Sequence, residues 1–299
     1  MIRVGNAPCS WGVLEFDTAA PRAAAGRMLD EMAAAGFAGT ELGDWGFLPT
    51  DPAALSNELA RARLTLLGAF VPIRLADPAA FTNGIATATR IADLLVRAAG
   101  PDAFVVLSDD NGAVPARTGR AGRIEPADGL AAAEWDGFAV RAEAIAVAVC
   151  ERTGLRTVFH HHCAGYVETP LELHELMTRT DPDVLGLCLD TGHMTYGGGD
   201  PLATLRTYGS RVWHVHVKDC DATVLRNSRE RGWNYHEAVR GGMFCELGRG
   251  VVDFQGIVDE LKRRDYAGWV VVEQDVLPGM GTPAESATRN RAFLHSLGV

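Results

Sequence analysis

Cysteine is scarce in this sequence and follows no pattern. Six cysteines are spread over 299 residues, with no CxxC pair and no regular spacing. A zinc finger or a disulfide framework is therefore not expected, because both need cysteines at set intervals. Reduced thiols, as in the cytosol, are the simplest interpretation.

Long apolar runs are absent as well. No segment approaches the roughly 20 apolar residues that a membrane-spanning helix needs. The first residues, MIRVGNAPCSW, lack the basic stretch followed by an apolar stretch that marks a secretory signal. We expect a soluble, cytoplasmic protein that has no membrane partner.

Basic residues are outnumbered by acidic ones. The chain has 28 Lys and Arg against 38 Asp and Glu, which gives a formal net charge of −10. A field of that sign repels the phosphates of nucleic acids and of anionic membranes. We therefore expect a small-molecule partner and no nucleic-acid partner, with a homo-oligomer as an open option.

What the sequence does have is a repeated alternation of strand-like and helix-like segments. The strand-like segments are 2–8, 39–42, 64–72, 103–109, 156–162, 185–190, 212–218 and 268–274. The helix-like segments are 21–35, 52–62, 78–99, 134–152, 170–179, 200–209, 254–264 and 283–297. Eight such units predict one α/β domain over residues 1–299, a (β/α)8 TIM barrel. The alternative is a doubly wound open sheet, but no GxGxxG follows the first strand.

Two connections after predicted strands are unusually long. They cover residues 110–133 and 219–253. In a barrel both would lie on the face where the strands end, which is the face that holds active sites. We expect them to cover a substrate.

Ionisable side chains occur where the predicted strands end, although barrel interiors otherwise favour Val, Ile and Leu. They are Glu41, Asp109, His160, His162, Asp190, His214, His216 and Glu273. Taken singly, each has an ordinary explanation, such as a cap, a turn or a satisfied core residue. Taken together, carboxylates and imidazoles from neighbouring strand ends favour a cation site.

Strand alternation divides the three consecutive histidines of this set. Side chains two residues apart share a face of a strand, so His160 and His162 point together and His161 points the other way. His214 and His216 share a face for the same reason. The strand pattern alone therefore offers either His160 or His162 as a ligand.

Several motifs resemble those of one enzyme family. LCLDTGHMTYGGGDP (187–201), HVHVKD (214–219), GRGVVDF (248–254) and GWVVVEQD (268–275) are similar to the xylose isomerase-like TIM barrels of the sugar isomerase/epimerase superfamily. GTELG (39–43) and HHHCAGYVETP (160–170) resemble the inosose dehydratases of myo-inositol catabolism most. The likeness covers nearly the whole chain in the same order.

The resemblance implies a divalent metal held by four residues at the ends of strands five to eight. These are His160, Asp190, His216 and Glu273, with Mn²⁺ or Co²⁺ as the expected metal and Zn²⁺ or Mg²⁺ as further options. His160 departs from the pattern, because epimerases of the superfamily usually have Glu there. Loss of one of their two exchanging glutamates favours one-sided enolisation and loss of water over epimerisation.

The resemblance also implies an activity, the dehydration of a cyclic ketose such as 2-keto-myo-inositol through an enediolate. Glu273 and Glu41 are the candidate bases, and His162 or His193 would protonate the departing hydroxyl. Lys218 would hold the enediolate oxygen or transfer a proton, unless it merely pairs with Asp219. The expected substrate-binding residues are Trp11, His162, His193 and Arg249.

Other functions stay open at this point. The segment APCSWGVLEFD (7–17) differs from the dehydratases, which leaves a different substrate open. A keto-sugar isomerase or epimerase would use the same enediolate. A barrel that only binds a polyol is a further alternative, whereas an endonuclease would need more metal ligands and a basic groove.

Overall fold

Parallel strands arranged in a ring form the centre of the computed structural model, which describes residues 2–12, 23–276 and 280–299. In chain order the strands are β1 Arg3–Asn6, β2 Gly39–Thr40, β3 Thr65–Leu66, β4 Gly68–Ile73, β5 Phe104–Asp109, β6 Arg156–His160, β7 Leu185–Asp190, β8 Val212–Val217, β9 Asp219–Cys220, β10 Phe244–Cys245 and β11 Trp269–Val272. All but β9 and β10 belong to the central sheet, and those two form an antiparallel pair of their own.

The ring closes at Leu67, the single residue between β3 and β4. The sheet runs in the order β3-β2-β1-β11-β8-β7-β6-β5-β4, so its two ends are consecutive pieces of one strand. Leu67 donates its N–H to Thr40 O at 2.9 Å and accepts the N–H of Phe104 at 2.9 Å, which joins both neighbours. The eight-stranded TIM barrel is confirmed, and the open-sheet alternative is wrong.

Helices surround this barrel. They are α1 Ala23–Ala34, α2 Pro52–Ala62, α3 Phe81–Ala99, α4 Pro115–Arg120, α5 Ala132–Thr153, α6 Pro170–Arg179, α7 Thr191–Tyr196, α8 Pro201–Tyr208, α9 Ala222–Arg231, α10 Tyr235–Arg240, α11 Phe254–Arg263 and α12 Pro283–Ser296. Local signals start several of them: the Asp51 side chain accepts the N–H of Ala54, and Thr169 caps α6. None of the described helices has the length and apolar character to cross a membrane.

Strand alternation decides which side chains point into the barrel. Val105 and Leu107 pack in the main core between the strands and the helices, whereas Phe104 and Val106 belong to a separate cluster with Val158. His160 is two residues beyond Val158 and therefore points the same way. The strands thus carry apolar residues inward along most of their length and polar residues inward at their carboxyl ends.

The two long connections are folded, which the sequence pattern did not predict. The first contains α4, and the second contains β9, α9, α10 and β10. They share an apolar cluster that is distinct from the main core, and we call it the cap cluster. Its buried members are Ala121, Cys163, Ala164, Tyr196, Cys220, Tyr235, Ala238, Val239, Met243 and Phe244.

Candidate active site

Four side chains from neighbouring strand ends meet at the carboxyl-terminal mouth of the barrel. His160 and Asp190 are the last residues of β6 and β7, His216 lies in β8, and Glu273 directly follows β11. Each offers one nitrogen or oxygen atom, and these atoms all lie within 4.8 Å of one another. They are the four residues predicted as metal ligands, and their role as ligands stays a prediction.

The chemistry of this group fits a divalent cation. Asp190 Oδ2, His160 Nδ1 and His216 Nδ1 are buried and have no hydrogen-bond partner. Buried polar atoms without partners are costly, and a cation bound among these three would satisfy them. Two imidazoles with two carboxylates suit Mn²⁺, Co²⁺ or Zn²⁺ better than a purely oxygen-bound ion.

The backbone around Asp190 sets the direction of its carboxylate. Oδ1 accepts the N–H of His193 at 2.7 Å and so caps α7. The N–H of Asp190 donates to His161 Nε2 at 3.1 Å. With Oδ1 used by the cap, Oδ2 is left for the group of four, and it lies 3.6 Å from His160 Nε2.

The three consecutive histidines separate as alternation predicts. His160 and His162 line the cavity above the mouth. His161 is fully buried and contacts the backbone of β7 instead. Among the described residues His162 belongs to no group that could hold a metal, so the geometry favours His160 over His162 as the ligand.

Lys218 points into the mouth beside the group of four. Its Nζ lies 3.2 Å from Glu273 Oε2 and 3.5 Å from His193 Nε2. The ammonium also stands 4.4 Å from the centre of the Phe244 ring, a cation–π arrangement. Burial alone would lower the pKa of Lys218, but the carboxylates of Glu273 and Asp275 outweigh it and raise the pKa well above its usual value.

Two residues of the DTGH motif fix where Lys218 lies. Thr191 Oγ1 donates to Lys218 O at 2.7 Å and accepts the N–H of Lys218 at 2.8 Å. Gly192 leaves room for the side chain, because an added Cβ would stand 2.7 Å from Lys218 Cβ. In order along the chain, the motif therefore supplies the Asp190 carboxylate, the Thr191 hydroxyl that holds the Lys218 backbone, and the space beside Gly192 that the Lys218 side chain occupies.

Lys218 does not pair with Asp219, the alternative that the sequence left open. The Asp219 carboxylate accepts backbone N–H groups of the loop before α11 instead. Gly248 and Gly250 donate to Oδ2 at 2.9 and 2.8 Å, and Val252 donates to Oδ1 at 3.1 Å. Asp219 thus shapes the loop that carries the GRG sequence and leaves Lys218 to Glu273.

Glu273 and Glu41 are both held as carboxylates. Burial alone would raise the pKa of Glu273, but His216 and Lys218 outweigh it, and the pKa falls well below its usual value. Burial opposes ionisation of Glu41 too, yet His216 and His214 lower its pKa to about 2. Both predicted bases therefore carry a negative charge across the physiological pH range.

The rings of His162 and His193 pack directly against each other beside the mouth. Their ring centres are 3.7 Å apart. His162 Nδ1 lies 2.7 Å from Cys163 O, and the N–H of Cys163 donates to His193 Nδ1 at 3.3 Å. Burial lowers the pKa of His193 well below its usual value, and His162 and Lys218 lower it further. His193 is therefore neutral.

A cavity lies directly above these groups. Its open space, including the part that reaches solvent, is about 710 Å³. It is lined by Ala7, Pro8, Cys9, Glu41, Gly43, Asp44, Phe70, His160, His162, Lys218, Tyr235, Glu273 and Asp275.

Of the four predicted substrate-binding residues, His162 lines this cavity, whereas Trp11, His193 and Arg249 do not. The indole N–H of Trp11 donates to Glu31 at 2.9 Å, and Trp11 does not line the cavity. The Arg249 side chain is 68% exposed and pairs with Glu246. The segment 7–17 that differs from the dehydratases lies partly outside the described residues.

Phe70 and Tyr235 line the cavity but were not predicted. Phe70 stands in β4, and its ring approaches both His160 and His162. Tyr235 begins α10 in the second long connection, and its ring stands 5.6 Å from that of His162. Phe70 could have been found from its inward place in a strand, whereas no local signal marks Tyr235.

A parallel barrel with acidic and imidazole groups gathered at its carboxyl-terminal mouth is the arrangement of TIM-barrel enzymes. The chain belongs to the xylose isomerase-like TIM barrel family, which it matches over residues 29–297. It is 30% identical to an inosose dehydratase of Geobacillus kaustophilus over 295 residues, which cover 99% of this chain and 94% of that protein.

Solved structures share the fold across the whole chain. A probable 3-DHS dehydratase, AsbF of Bacillus anthracis, superposes with a TM-score of 0.72 at 15% identity and covers 99% of both chains. The IOLI protein with a bound zinc atom gives a TM-score of 0.71 at 14% identity, covering 99% of this chain and 98% of that one. At these identities the likeness concerns the fold.

Proposed function

We propose that the chain is a metal-dependent hydro-lyase that removes water from a cyclic ketose such as 2-keto-myo-inositol. The relationship to an inosose dehydratase along nearly the whole chain supports this reaction. The observation that carries it is that the mouth holds a base and imidazoles side by side. A carboxylate and an ammonium group, Glu273 and Lys218, lie 3.2 Å apart, and His193, packed against His162, lies 3.5 Å from that ammonium group.

His160, Asp190, His216 and Glu273 would hold the divalent metal. When bound, it supplies positive charge that polarises a ketone oxygen and favours loss of the neighbouring proton. We propose Mn²⁺ or Co²⁺, because the donor set mixes imidazole with carboxylate. Zn²⁺ is the next choice, since a zinc atom is bound in the structurally similar IOLI protein.

Glu273 is the proposed base. Its carboxylate lines the cavity and is ionised, so it can accept the hydrogen on the carbon next to the ketone. The Lys218 ammonium lies beside it and stabilises the negative charge that develops on the enediolate oxygen. Glu273 thereby removes the proton, and Lys218 stabilises the resulting negative charge.

The imidazoles next to Lys218 complete the reaction. The C–H electron pair first forms the enediolate. As the ketone is restored, the new carbon–carbon double bond forms and the β-hydroxyl leaves with a proton from His162. His193, which is neutral, packs against the His162 ring and holds it in place. The balance is one C–H and one C–O bond broken, one double bond formed and one water released. His162, which lines the cavity, also binds a substrate hydroxyl before the reaction.

A two-base epimerase fits the mouth less well. That reaction needs a second base facing Glu273 that can return a proton to the opposite face of the same carbon. The position at which the epimerases have their second glutamate holds His160 here, whose pKa burial lowers despite the nearby Asp190 carboxylate. A neutral imidazole near the Glu273 carboxylate suits elimination, in which one group accepts a proton and a different group donates one.

The acidic lining of the cavity favours an uncharged ketose as the substrate. Asp44 and Asp275 line it in addition to Glu41 and Glu273. Within the described part of the lining, Lys218 is the one Lys or Arg side chain. A carboxylated ketone would meet repulsion from these acids, whereas a polyol ketone would find acceptors for its hydroxyls. We place the reaction in the cytoplasm, because all six cysteines are free thiols.

Assay of the metal-reconstituted protein on 2-keto-myo-inositol tests the proposal. We expect a conjugated dione that absorbs in the near ultraviolet and a product mass lower by one water. Glu273→Gln should abolish the product. Turnover with conserved mass would establish the isomerase or epimerase alternative, and no turnover with any divalent metal would disprove the dehydratase.

A further inference from the structure

Glu41 makes two short contacts across the interior of the barrel. It follows β2, yet Oε1 lies 2.8 Å from Nε2 of His214 and 2.9 Å from Nε2 of His216, both in β8. Two strands, β1 and β11, separate β2 from β8 in the sheet. All three side chains are at most 3% exposed, so no solvent competes for these contacts.

The contacts determine where the imidazoles carry their protons. An ionised carboxylate only accepts hydrogen bonds, so Nε2 of His214 and Nε2 of His216 must both donate. When a metal binds Nδ1 in place of a proton, the imidazole is neutral, still donates through Nε2 and uses its Nδ1 lone pair for the metal. His216 Nδ1 is the atom that lies 3.4 Å from Glu273 Oε1 and has no hydrogen-bond partner.

We propose that Glu41 is a positioning residue that presents His216 Nδ1 to the metal, and that His214 holds Glu41 in place. Glu41 is then not the base, the alternative to Glu273 that the sequence left open. The inference rests on the metal site of the proposed function. Metal-bound histidines are typically oriented by an acceptor on their second nitrogen, and loss of that acceptor weakens metal binding.

The same three residues form a possible second metal group, because their ligand atoms also lie within 4.8 Å of one another. The hydrogen bonds give a simpler account. A metal bound by both Nε2 atoms would displace both donated protons and leave Oε1 without its present partners. We therefore expect one metal per chain.

Metal titration of Glu41→Gln separates the two roles. Metal-free full-length protein is titrated with Co²⁺, and the stoichiometry, the dissociation constant and the visible absorption bands are recorded. We expect one Co²⁺ per wild-type chain, affinity about 10–100-fold weaker in Glu41→Gln, and altered bands. At saturating metal, kcat should stay within a few fold of the wild type.

Asp109→Asn is the matched control, because Asp109 is also buried but accepts only backbone N–H groups, from Leu75 and Tyr166 at 3.0 Å each. It should bind Co²⁺ as the wild type does. His214→Gln retains an N–H donor and should weaken binding less than Glu41→Gln. If Glu41→Gln does not fold, Glu41→Asp keeps the charge and should give the same weaker binding.

Three results would overturn the inference. One is unchanged Co²⁺ affinity in Glu41→Gln with kcat lowered about 10²–10⁴-fold, as for a lost base. The second is equal weakening in Asp109→Asn, which would indicate a structural effect. The third is two Co²⁺ per chain. Absence of turnover by the wild type would contradict the proposed function and leave these binding results intact.

Discussion

At the scale of single residues, Lys218 shows how neighbours decide what a side chain does. Of the 28 Lys and Arg residues only Lys218 and Lys262 are lysines. Lys262 donates to a backbone carbonyl near the end of the chain, whereas Lys218 is buried between Glu273 and Phe244. A lysine ammonium is compact and can give up a proton, which an arginine side chain cannot do in proteins.

Replacing Lys218 with Met should lower kcat on the ketose by about 10²–10³-fold, because one preorganised charge next to the developing oxyanion is lost. Metal content should stay close to wild type, since Lys218 is not one of the four donors. Steady-state kinetics and metal analysis of the same preparation check both points. Lys218→Arg tests proton transfer, because arginine keeps the positive charge but cannot give up a proton. A kcat that survives Lys218→Met would remove Lys218 from the reaction.

A methyl group added at Gly192 should have a similar consequence through space alone. In Gly192→Ala the new Cβ would stand 2.7 Å from Lys218 Cβ and 2.8 Å from its Cγ, so the lysine must shift. We expect a loss of kcat of at least about tenfold with little change in secondary structure by circular dichroism. Gly119→Ala is the control, because a Cβ there meets nothing within 4 Å. Equal activity of the two variants would contradict this account of the motif.

At the scale of elements, the first long connection is anchored by one buried ion pair. The Arg117 side chain is 1% exposed. It donates to Glu172 at 2.6 and 2.9 Å and to Gly165 O at 2.8 Å. These contacts tie α4 to the start of α6 and to the turn that follows the three histidines. The position of His162 therefore depends on a helix that lies outside the barrel proper.

Arg117→Met should destabilise the protein by about 3–5 kcal/mol, because it leaves the Glu172 carboxylate buried without its partner. Urea unfolding gives the free energy directly. Arg152→Met removes an exposed pair with Asp93, whose side chains are 57% and 36% exposed, and should cost at most about 1 kcal/mol. Similar costs for both variants would show that the burial of Arg117 contributes little.

The elements that the sequence predicted correctly are those with local signals. Asp51-Pro52 and Thr169-Pro170 place α2 and α6 to the residue, because a cap and a proline act on the adjacent turn. Alternation likewise placed His160 and His162 toward the cavity. α4 and α9 were missed because their sequences lack a continuous apolar face, and their stability comes from distant partners such as Glu172. Tyr235 was missed for the same reason.

At the scale of the whole molecule, we expect one buried carboxyl group beside the cap cluster, that of Glu168, to make stability depend on pH. Glu168 accepts the N–H of Ala164 at 2.7 Å and that of Gly122 at 2.6 Å. It therefore joins the turn after the histidines to the first long connection. Burial raises its pKa to about 7, despite these donors and the nearby Arg117.

Stability should therefore fall as the pH rises from about 4.5 to about 7, since the folded protein holds a proton on Glu168 that the unfolded chain releases. The contribution of Glu168 to the free energy of unfolding is on the order of 1–3 kcal/mol. It is fully present below the pKa that Glu168 has in the unfolded chain, and it is lost as the pH rises through the pKa of Glu168 in the folded protein. Glu168→Gln is neutral at every pH, so its Tm should depend less on pH in this window. Glu230→Gln, an exposed position, should follow the wild type, and parallel curves for all three proteins would refute the assignment.

The separation of the cap cluster from the main core has a consequence for how this enzyme could diverge. The four donors and Lys218 are set by strands, whereas Tyr235 and Phe244 come from the second long connection, which packs on the first connection and on the segments that follow β6 and β7. Mutations that reshape this connection can change which ring fits above the mouth while the inherited chemistry below stays intact. A descendant of this protein can thus acquire a new substrate through changes in the second long connection alone, while its reacting groups remain those of the ancestor.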